Sequence, residues 1–457
     1  MSTIGSNTAT LEHCKKVVQA SRPKLLFLAC YFPPAHAIAS IRAWNIAKYL
    51  ARMGWDVTVV TPDPSVWLHV EEPAKIEADI AREGIRRINT GHRWRHLSPD
   101  HLRCRNRGIG WILGGLCRKV ARYLGIDAGI GWISEAERAC ARLSPNTIDV
   151  ILATGNPFSS FTLAKRLSDR FQRPYVLDYR DAWQPSAETP PSVRRTIRRR
   201  EQDLMKASSA VSSISTSLLG DRPALQGKLH VITNGFDPEE MARIRPYEFG
   251  HFAIVYAGIF CPPQRVITPV MAGLRLLKGR TKNQNPYWMF HYYGMEVDHV
   301  REEAARFGVL DKVVMHGRVS RTAALSAIRG AGVSIVITSV LENQAVEDRG
   351  IVTGKLFDAL GLGVPILVIT PSESDVEAII KTSGLAQSVR GSNTDGIVSF
   401  LEAVMLGKAP KARSPEVYAW PNIIKKLDTI LKSSLEKGST ARLHGEPTHR
   451  TAGQSFG

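Results

Sequence analysis

The chain has 457 residues, of which 60 are Lys or Arg and 42 are Asp or Glu, so its formal net charge is +18. This length exceeds what one hydrophobic core normally supports, so two domains of about 200 residues each are expected. The six cysteines are scattered without a C-x-x-C pair, which argues against a disulfide framework or a zinc site and favours a reducing compartment. No apolar run approaches the ~18 residues that span a bilayer. A chain this basic attracts anions: nucleic acid, anionic lipid or phosphorylated small molecules.

The first half of the chain alternates short apolar runs with helical patterns, which is typical of a parallel, doubly wound sheet. A flexible leader is predicted over 1–23. The predicted strands that follow are 24–30, 56–62, 148–155 and 174–179, with a further helix and strand within 201–215 and a strand within 228–237.

A second series of the same kind begins after a junction near 238–250. Its predicted strands are 252–258, 287–294, 312–317, 333–338 and 364–369. The pattern therefore predicts two Rossmann-like doubly wound domains facing one cleft, an α/β fold. The predicted organisation is an N-terminal domain over 24–240, a C-terminal domain over 250–410, a final helix over 411–433 and a disordered tail over 434–457.

The stretch GIVTGKLFDALGLGVPIL, residues 350–367, combines an amphipathic helix with glycines and a buried strand. Its apolar residues recur at helical spacing and predict one buried face, with Lys355 and Asp358 off that face. We expect Gly350 to begin the helix in the cleft, where free backbone N–H groups and the helix dipole favour a phosphate. Lys355 would add a mobile cation. A solvated Lys355–Asp358 pair is the structural alternative.

Several segments, in this order and spacing, resemble the GT-B-fold retaining glycosyltransferases of glycosyltransferase family 4. They include ILATGNPFSSFTLAKRL, YVLDYRDAW, VITNGFD, VYAGIF and TGKLFDALGLGVPIL, and the resemblance covers about residues 24–432. It implies a C-terminal domain that binds a nucleotide-diphosphate sugar, with UDP favoured, and an N-terminal domain that presents a glycan or lipid-linked acceptor. It also implies a final helix that crosses back to the N-terminal domain, and a role in polysaccharide or cell-envelope glycan synthesis.

The resemblance also implies roles for individual residues. The implied donor-binding positions are Gly258, Arg265, Arg318, Val319, Glu347, Gly350, Ile351, Val352, Lys355 and Asp358. Asp358 would accept the ribose hydroxyls, and Arg265 and Lys355 would bind the diphosphate, since Arg grips two phosphate oxygens at once. Two positions depart from the family. Gly350 stands where the family has its first paired glutamate, for which Glu347 or Asp348 can compensate, and Ile259 stands where many relatives have arginine.

In the N-terminal domain, Asp178, Arg180 and Asp181 end a predicted strand at the edge that faces the cleft. They are candidates for contact with acceptor hydroxyls, with a structural Arg180–Asp ion pair as the alternative. Asp181 joins Arg265 and Lys355 as a predicted catalytic residue. His36, in the loop after the first strand, is a weaker candidate for the donor phosphates.

A retaining enzyme of this fold needs no protein nucleophile, because the leaving diphosphate can take the acceptor proton while the protein supplies position and positive charge. No D-x-D motif is present to require a metal. The expected enzyme is therefore metal-independent and uses the nucleotide sugar as co-substrate without a cofactor.

Three alternatives stay open at the level of sequence. A nucleotide-sugar epimerase of the same fold would release UDP and an altered sugar without an acceptor. A non-catalytic nucleotide-sugar-binding protein is compatible with the two departures from the family. Nucleic-acid binding is suggested by the charge, but no zinc finger, RNA-recognition motif or helix–turn–helix pattern accompanies it, so no nucleic-acid partner is expected.

Two basic segments predict contact with an anionic membrane surface. Residues 93–122 contain eight Lys or Arg and one acid, with Trp94, Trp111 and the apolar run GWILGGL between them. Residues 194–200 add five arginines. Tryptophan suits the lipid headgroup level, and each Lys or Arg near an anionic surface contributes about 1 kcal/mol. The expected location is cytoplasmic, at the inner face of the cell membrane. The alternative is that the apolar residues are core and the arginines are solvated.

Overall fold

A computed structural model provides the structure. It describes residues 22–443 except for 36–37, 68–69, 71, 94–108, 128, 187, 221, 282–286, 343–345, 412 and 414. The predicted leader therefore lies almost wholly outside the described residues.

The N-terminal domain is built on a seven-stranded parallel sheet. Its strands are β1 (Lys24–Leu28), β2 (Asp56–Pro62), β3 (Arg86–Thr90), β4 (Val150–Gly155), β5 (Tyr175–Tyr179), β6 (Ala210–Ser213) and β7 (Leu229–Val231). They lie in the order β3-β2-β1-β4-β5-β6-β7, so the direction of winding reverses between β1 and β4. The helices of this part are α1 (Ile38–Arg52), α2 (Pro73–Arg82), α3 (Ile109–Tyr123), α4 (Ile130–Cys140), α5 (Ser159–Phe171) and α6 (Pro191–Ala207). Ligands of open α/β sheets bind at such a reversal, beyond the carboxyl ends of the strands.

The C-terminal domain repeats this design with six parallel strands. They are β8 (Phe252–Ala257), β9 (Trp288–Tyr293), β10 (Val313–Gly317), β11 (Val333–Ile337), β12 (Ile366–Ile369) and β13 (Ala386–Val389), in the order β10-β9-β8-β11-β12-β13. A short helix α7 (Pro238–Arg243) connects the domains. The helices that follow are α8 (Thr268–Arg280), α9 (Val297–Arg306), α10 (Arg321–Gly330), α11 (Val346–Arg349), α12 (Gly354–Leu362), α13 (Asp375–Ser383) and α14 (Thr394–Met405).

The last helix, α15 (Trp420–Leu443), packs on the N-terminal domain. Its buried residues Trp420, Ile424 and Leu427 share one hydrophobic cluster with Leu25 of β1 and Leu50 of α1. The predicted boundaries of this helix, 411–433, need correction. It begins nine residues later and continues through the first ten residues of the predicted tail, because apolar residues at helical spacing extend to Leu435.

The predicted fold class is confirmed: two Rossmann-like parallel sheets with alternating helices form a GT-B architecture. Two edge strands, β3 and β13, escaped sequence analysis. Their sequences, RRINT and AQSV, lack the apolar runs that revealed the others, since strands at a sheet edge are only half covered.

Candidate donor site between the domains

Loops that follow strands of the two sheets meet each other directly. Ser215, two residues beyond β6, donates its hydroxyl to the Gly350 carbonyl at 2.6 Å. Ser217 donates its backbone N–H and its hydroxyl to the Asp375 carboxylate at 2.7 and 2.9 Å. The carboxyl ends of both sheets therefore face one another, which is where open α/β sheets bind their ligands.

Lys355 lies in the first turn of α12 and is held against the end of β8. Its Nζ donates to the Tyr256 hydroxyl at 3.2 Å and lies 4.6 Å from the centre of the Tyr256 ring. Gly258, just beyond β8, has a φ of +143°, and a Cβ placed there would lie 1.9 Å from Lys355 Nζ and 2.1 Å from Cε. Only glycine fits this position, because both the backbone conformation and the space are closed to a side chain.

Among the described residues, no carboxylate forms an ion pair with the Lys355 ammonium. Within the described part of the chain it forms no salt bridge, and its hydrogen-bond partner is the neutral Tyr256 phenol. Burial, reinforced by nearby Arg265, lowers the pKa of Lys355 from 10.5 to about 7. An anion placed beside this amine would restore its ordinary protonation, so the site favours an anionic ligand.

The start of α12 lies next to Lys355 and has no side-chain cap among the described residues. Thr353, the residue before the helix, makes no side-chain capping bond to the helix amides. Its buried Oγ1 also lacks a partner among the described residues. Free amides at a helix start carry partial positive charge and favour a phosphate. The helix begins at Gly354, so the expectation that Gly350 begins it is wrong.

Arg265 closes a small loop after β8. Its backbone exchanges two hydrogen bonds with Cys261, at 2.9 and 3.0 Å, and its Nη2 lies 3.0 Å from the Cys261 sulfur. No carboxylate pairs with it among the residues described. Since Arg265 contributes to the lowered pKa of Lys355, the two cations act on one region of the cleft. Their predicted contact with a diphosphate stays a prediction.

Asp358, one turn after Lys355, is held by a residue that sequence analysis did not identify. Arg321, the first residue of α10, donates from Nη2 to Asp358 Oδ1 at 2.8 Å and from Nη1 to Oδ2 at 3.3 Å. The expected alternative, a Lys355–Asp358 pair, is absent from the described salt bridges. An ionised carboxylate offers about four acceptor positions, so Asp358 keeps capacity for ribose hydroxyls.

Gly350 is a point of contact between the domains. A Cβ there would lie 2.3 Å from the Leu218 backbone nitrogen and 2.6 Å from its Cα. The N-terminal domain thus occupies the space where the resemblance places a glutamate. Ile351 is half-buried and Val352 is buried beside it. Glu347 belongs to α11, but its side chain lies outside what the structure describes.

The segment implied to contact the nucleotide base follows β10. Arg318 is exposed and Val319 is half-buried against the main hydrophobic cluster. Ser320 then caps α10 by accepting from the Ala323 N–H at 3.2 Å. This segment therefore lies at the carboxyl edge of the sheet, and its contact with a base stays a prediction.

Asp178 has a structural role, which corrects the prediction that it contacts the acceptor. It is fully buried and accepts from Arg42 at 2.6 and 3.0 Å, from Thr154 at 2.9 Å and from Ser212 at 2.8 Å. Although burial alone would raise the pKa of Asp178, Arg42 and these hydroxyls hold it below its ordinary value. Every acceptor position is occupied, so no substrate hydroxyl can reach it.

Arg180 and Asp181 differ from each other in exposure. Arg180 is largely buried and donates to the backbone carbonyls of Gly155, at 2.9 Å, and Asn156. It therefore orders the loop after β4. The Asp181 side chain is 61% exposed and its carboxylate lies 4.0 Å from Arg180 Nε, so a tight ion pair does not form. Asp181 stays a predicted contact for the acceptor, and His36 lies outside the described residues.

No group of three or more His, Cys, Asp or Glu side chains in the described part of the chain is arranged to hold a metal ion. Among the same residues, no helix is both long and apolar enough to cross a membrane.

Comparison with known proteins gives one family match and several solved structures with a similar fold. Residues 39–235 match the family model described as a Glycosyl transferase 4-like domain. No curated protein matched the sequence. Among solved structures, sucrose-phosphate synthase from Thermosynechococcus elongatus is 13% identical, with a TM-score of 0.56 over 93% of this chain and 99% of that one. HepE from Anabaena, solved with UDP and glucose, is 14% identical, with a TM-score of 0.56 over 90% and 100%. The lipopolysaccharide outer core galactosyltransferase WaaB is 12% identical, with a TM-score of 0.50 over 92% and 99%.

The family model matches within the N-terminal part of the chain, and the solved structures share the two-domain fold of the whole chain. The candidate site lies between the two domains, at the carboxyl ends of both sheets. Within the described ranges, neither Lys355 nor Arg265 at this site forms an ion pair with a carboxylate.

Proposed function

We propose that the protein transfers a sugar from a nucleotide-diphosphate sugar to a glycan or lipid-linked acceptor, with retention of configuration, in the manner of glycosyltransferase family 4. The observation that carries the proposal is Lys355, a half-buried amine cradled by Gly258 with no carboxylate partner among the described residues. UDP is the favoured nucleotide, since the similar HepE was solved with UDP and with UDP-glucose.

The residues present can assist departure of a diphosphate without a nucleophile. Lys355, Arg265 and the start of α12 would stabilise the negative charge that grows on the leaving group. The diphosphate itself would accept the acceptor proton. We propose that no metal is required, because Lys355, Arg265 and the start of α12 together would offset the charge of the diphosphate.

The proposal is tested by mass spectrometry of lipid-linked sugars from cells with and without the gene, combined with assays of the purified protein on UDP-sugars. We expect one glycolipid or glycan precursor to lose a single sugar residue when the gene is absent. Purified protein that changes the sugar and frees UDP without an acceptor would instead indicate an epimerase.

Asp358→Ala is expected to weaken UDP binding by roughly 1.5–3 kcal/mol, the cost of losing a charge-assisted hydrogen-bond partner. The measurement is calorimetric titration with UDP. Asp395→Ala is a suitable control, since Asp395 pairs with an arginine on the exposed surface of the same domain. Unchanged affinity in a folded Asp358→Ala protein would refute the ribose assignment.

The membrane proposal gains support from a stripe on α3. The side chains of Leu116, Val120, Tyr123 and the following Leu124 recur at helical spacing and are 46–58% exposed. Exposed Lys119 and Arg122 lie beside them. An amphipathic helix of this kind can lie in the headgroup region of an anionic bilayer. Residues 94–108 lie outside the described part of the chain, so Trp94 adds nothing here.

The second basic segment lies next to this stripe. Thr189 donates its hydroxyl to the Arg122 carbonyl at 2.6 Å, and Gly125 packs directly against Ile197 of α6. Arg195, Arg198 and Arg199 on α6 are exposed. The apolar stripe and the arginines therefore form one surface, which suits a bilayer carrying anionic lipid better than a neutral one.

We expect sedimentation with liposomes to require anionic lipid and to fall as salt rises. Changing Arg195, Arg198 and Arg199 together to Ser should lower the bound fraction several-fold, since three cations contribute about 1 kcal/mol each before screening. The matched control changes Arg82, Arg138 and Arg166 to Ser, which removes equal charge elsewhere on the same domain. Equal loss in both variants, or equal binding to neutral vesicles, would refute the proposed surface.

A further inference from the structure

The linker helix α7 carries acidic residues whose partners divide between the two domains. Asp237, which caps this helix, is buried and accepts from Lys48 Nζ at 2.7 Å and from the Tyr49 hydroxyl at 2.8 Å. Glu239 accepts from the same Lys48 Nζ at 2.9 Å and from Arg52. Both acids therefore bind the linker to helix α1 of the N-terminal domain.

Glu240 faces the other way, into the C-terminal domain. Its carboxylate accepts from Arg321 Nε at 2.7 Å and from Nη2 at 2.9 Å. At the far end of the same helix α10, Arg329 donates to the carbonyls of Met241 and Ile244 at 2.8 and 2.7 Å. Helix α10 thus holds the linker helix at both of its ends.

Arg321 joins this linker contact to the donor site, because the same guanidinium also holds both oxygens of Asp358. We infer that Arg321 is a positioning residue of the donor site and that the linker helix sets its place through Glu240. The inference rests on the proposed function, in which Asp358 accepts the ribose hydroxyls.

Arg321 is shared by two carboxylates, and this sharing explains how Glu240 would fix the position of Asp358. An arginine that faced Asp358 alone would be free to follow it and to compete with the ribose for its oxygens. Glu240 fixes the other edge of the guanidinium, and the side chains of all three groups are 18–33% exposed, so solvent screens them only in part. A movement of the linker helix would displace Arg321 and with it the Asp358 carboxylate.

The apolar packing around the linker helix favours the transmission of its movement to the donor site. Met241, Ile244 and Leu325 are buried in one small cluster under the linker helix. Phe236, in the same cluster, lies so close to α12 that a Cβ on Gly361 would be 2.5 Å from its ring. Linker, α10 and α12 therefore pack as one unit, and close-packed groups transmit displacement.

The first test compares Glu240→Gln with Glu239→Gln, the same change on the same helix but facing the other domain. We expect the UDP dissociation constant to rise about 3–10-fold in Glu240→Gln and less than about twofold in Glu239→Gln, within the range of coupling energies between linked sites. Arg321→Lys should retain part of the affinity that Arg321→Gln loses. Equal effects of the two glutamate changes would overturn the inference.

A pH profile separates positioning from a general loss of structure. In Arg321→Gln the carboxylates of Asp358 and Glu240 lose their shared cation, and Lys355 interacts electrostatically with Asp358. The two like charges should repel each other, so the UDP affinity of Arg321→Gln should depend on pH differently from that of wild type. Adding Glu240→Gln should abolish that extra pH dependence. Its persistence in the double variant would contradict the inference.

Hydrogen exchange tests the coupling without any nucleotide. Residues 354–362 should exchange about 3–10-fold faster in Glu240→Gln than in wild type, and at the wild-type rate in Glu239→Gln. Failure of the wild-type protein to bind UDP would refute the proposed function. The exchange rates of the two glutamate variants would still decide whether Glu240 is coupled to α12. Unchanged exchange of 354–362 in Glu240→Gln would overturn the inference even if UDP binds.

Discussion

Lys355→Met is expected to lower turnover by about 100-fold or more while weakening donor binding by only about tenfold. The Lys355 ammonium would stabilise the diphosphate most strongly when negative charge grows on it as the leaving group. Loss of the ammonium should therefore raise the free energy of the transition state more than that of the bound ground state. Methionine preserves much of the packing against Tyr256 and Gly258. Steady-state kinetics with the UDP-sugar, together with calorimetry, separates the two effects. Near-normal turnover in both Lys355→Met and Arg265→Ala would refute the proposed mechanism.

The lowered pKa of Lys355 gives this prediction a dependence on pH. Below pH 7 the amine is charged before the ligand arrives, so wild type should bind UDP more tightly than Lys355→Met by a constant factor. Above pH 7 the free amine is largely neutral and the anion must restore its proton, so this advantage should shrink as pH rises. At pH 8 wild type should take up close to one proton on binding UDP, measured in two buffers of different ionisation heat. Equal proton uptake in Lys355→Met would contradict the assignment.

Gly258→Ala is expected to reduce turnover nearly as much as the loss of Lys355 itself. The added Cβ would overlap Lys355 Nζ and Cε, at 1.9 and 2.1 Å, and alanine does not readily adopt a φ of +143°. The amine must therefore leave its place above Tyr256. The expected loss of turnover is about 100-fold, with kinetics as the measurement.

The matched control for this substitution is Gly279→Ala. Gly279 lies in helix α8 of the same domain, and a Cβ there would meet nothing within 4 Å. We expect wild-type turnover and slightly higher stability, since alanine favours a helix more than glycine does. Full activity in Gly258→Ala would show that Lys355 need not occupy the position described.

The sequence was most informative where one physical pattern determined the structure. Buried parallel strands form continuous apolar runs, so β1, β2 and β8 were predicted within two residues of their bounds. Lys355 could be chosen as a candidate because its position departs from the buried face of its helix. The start of that helix was misplaced because Gly350 contacts the other domain, which no local pattern reveals.

Long-range ion pairs explain the remaining errors. In the sequence, Asp178 stands at the end of a strand, where an acceptor-binding residue is expected. In the structure, Arg42, 136 residues earlier in the chain, donates two hydrogen bonds to the Asp178 carboxylate. Arg321 follows an ordinary capping serine, and neither Glu240 nor Asp358 is near it in sequence. Composition and spacing cannot show which charges meet across a fold, so buried pairs of this kind are found only from the structure.

Calorimetric titration of the full chain with UDP at pH 7 tests the central claim most directly. The chain should bind one UDP per molecule with a dissociation constant in the micromolar range, corresponding to about −8 kcal/mol at 1 μM. Affinity should fall in Lys355→Met and in Asp358→Ala but not in Asp395→Ala. Absence of binding to UDP or any other nucleoside diphosphate, in protein whose circular dichroism shows it to be folded, would contradict the assignment of this cleft as a nucleotide-sugar site.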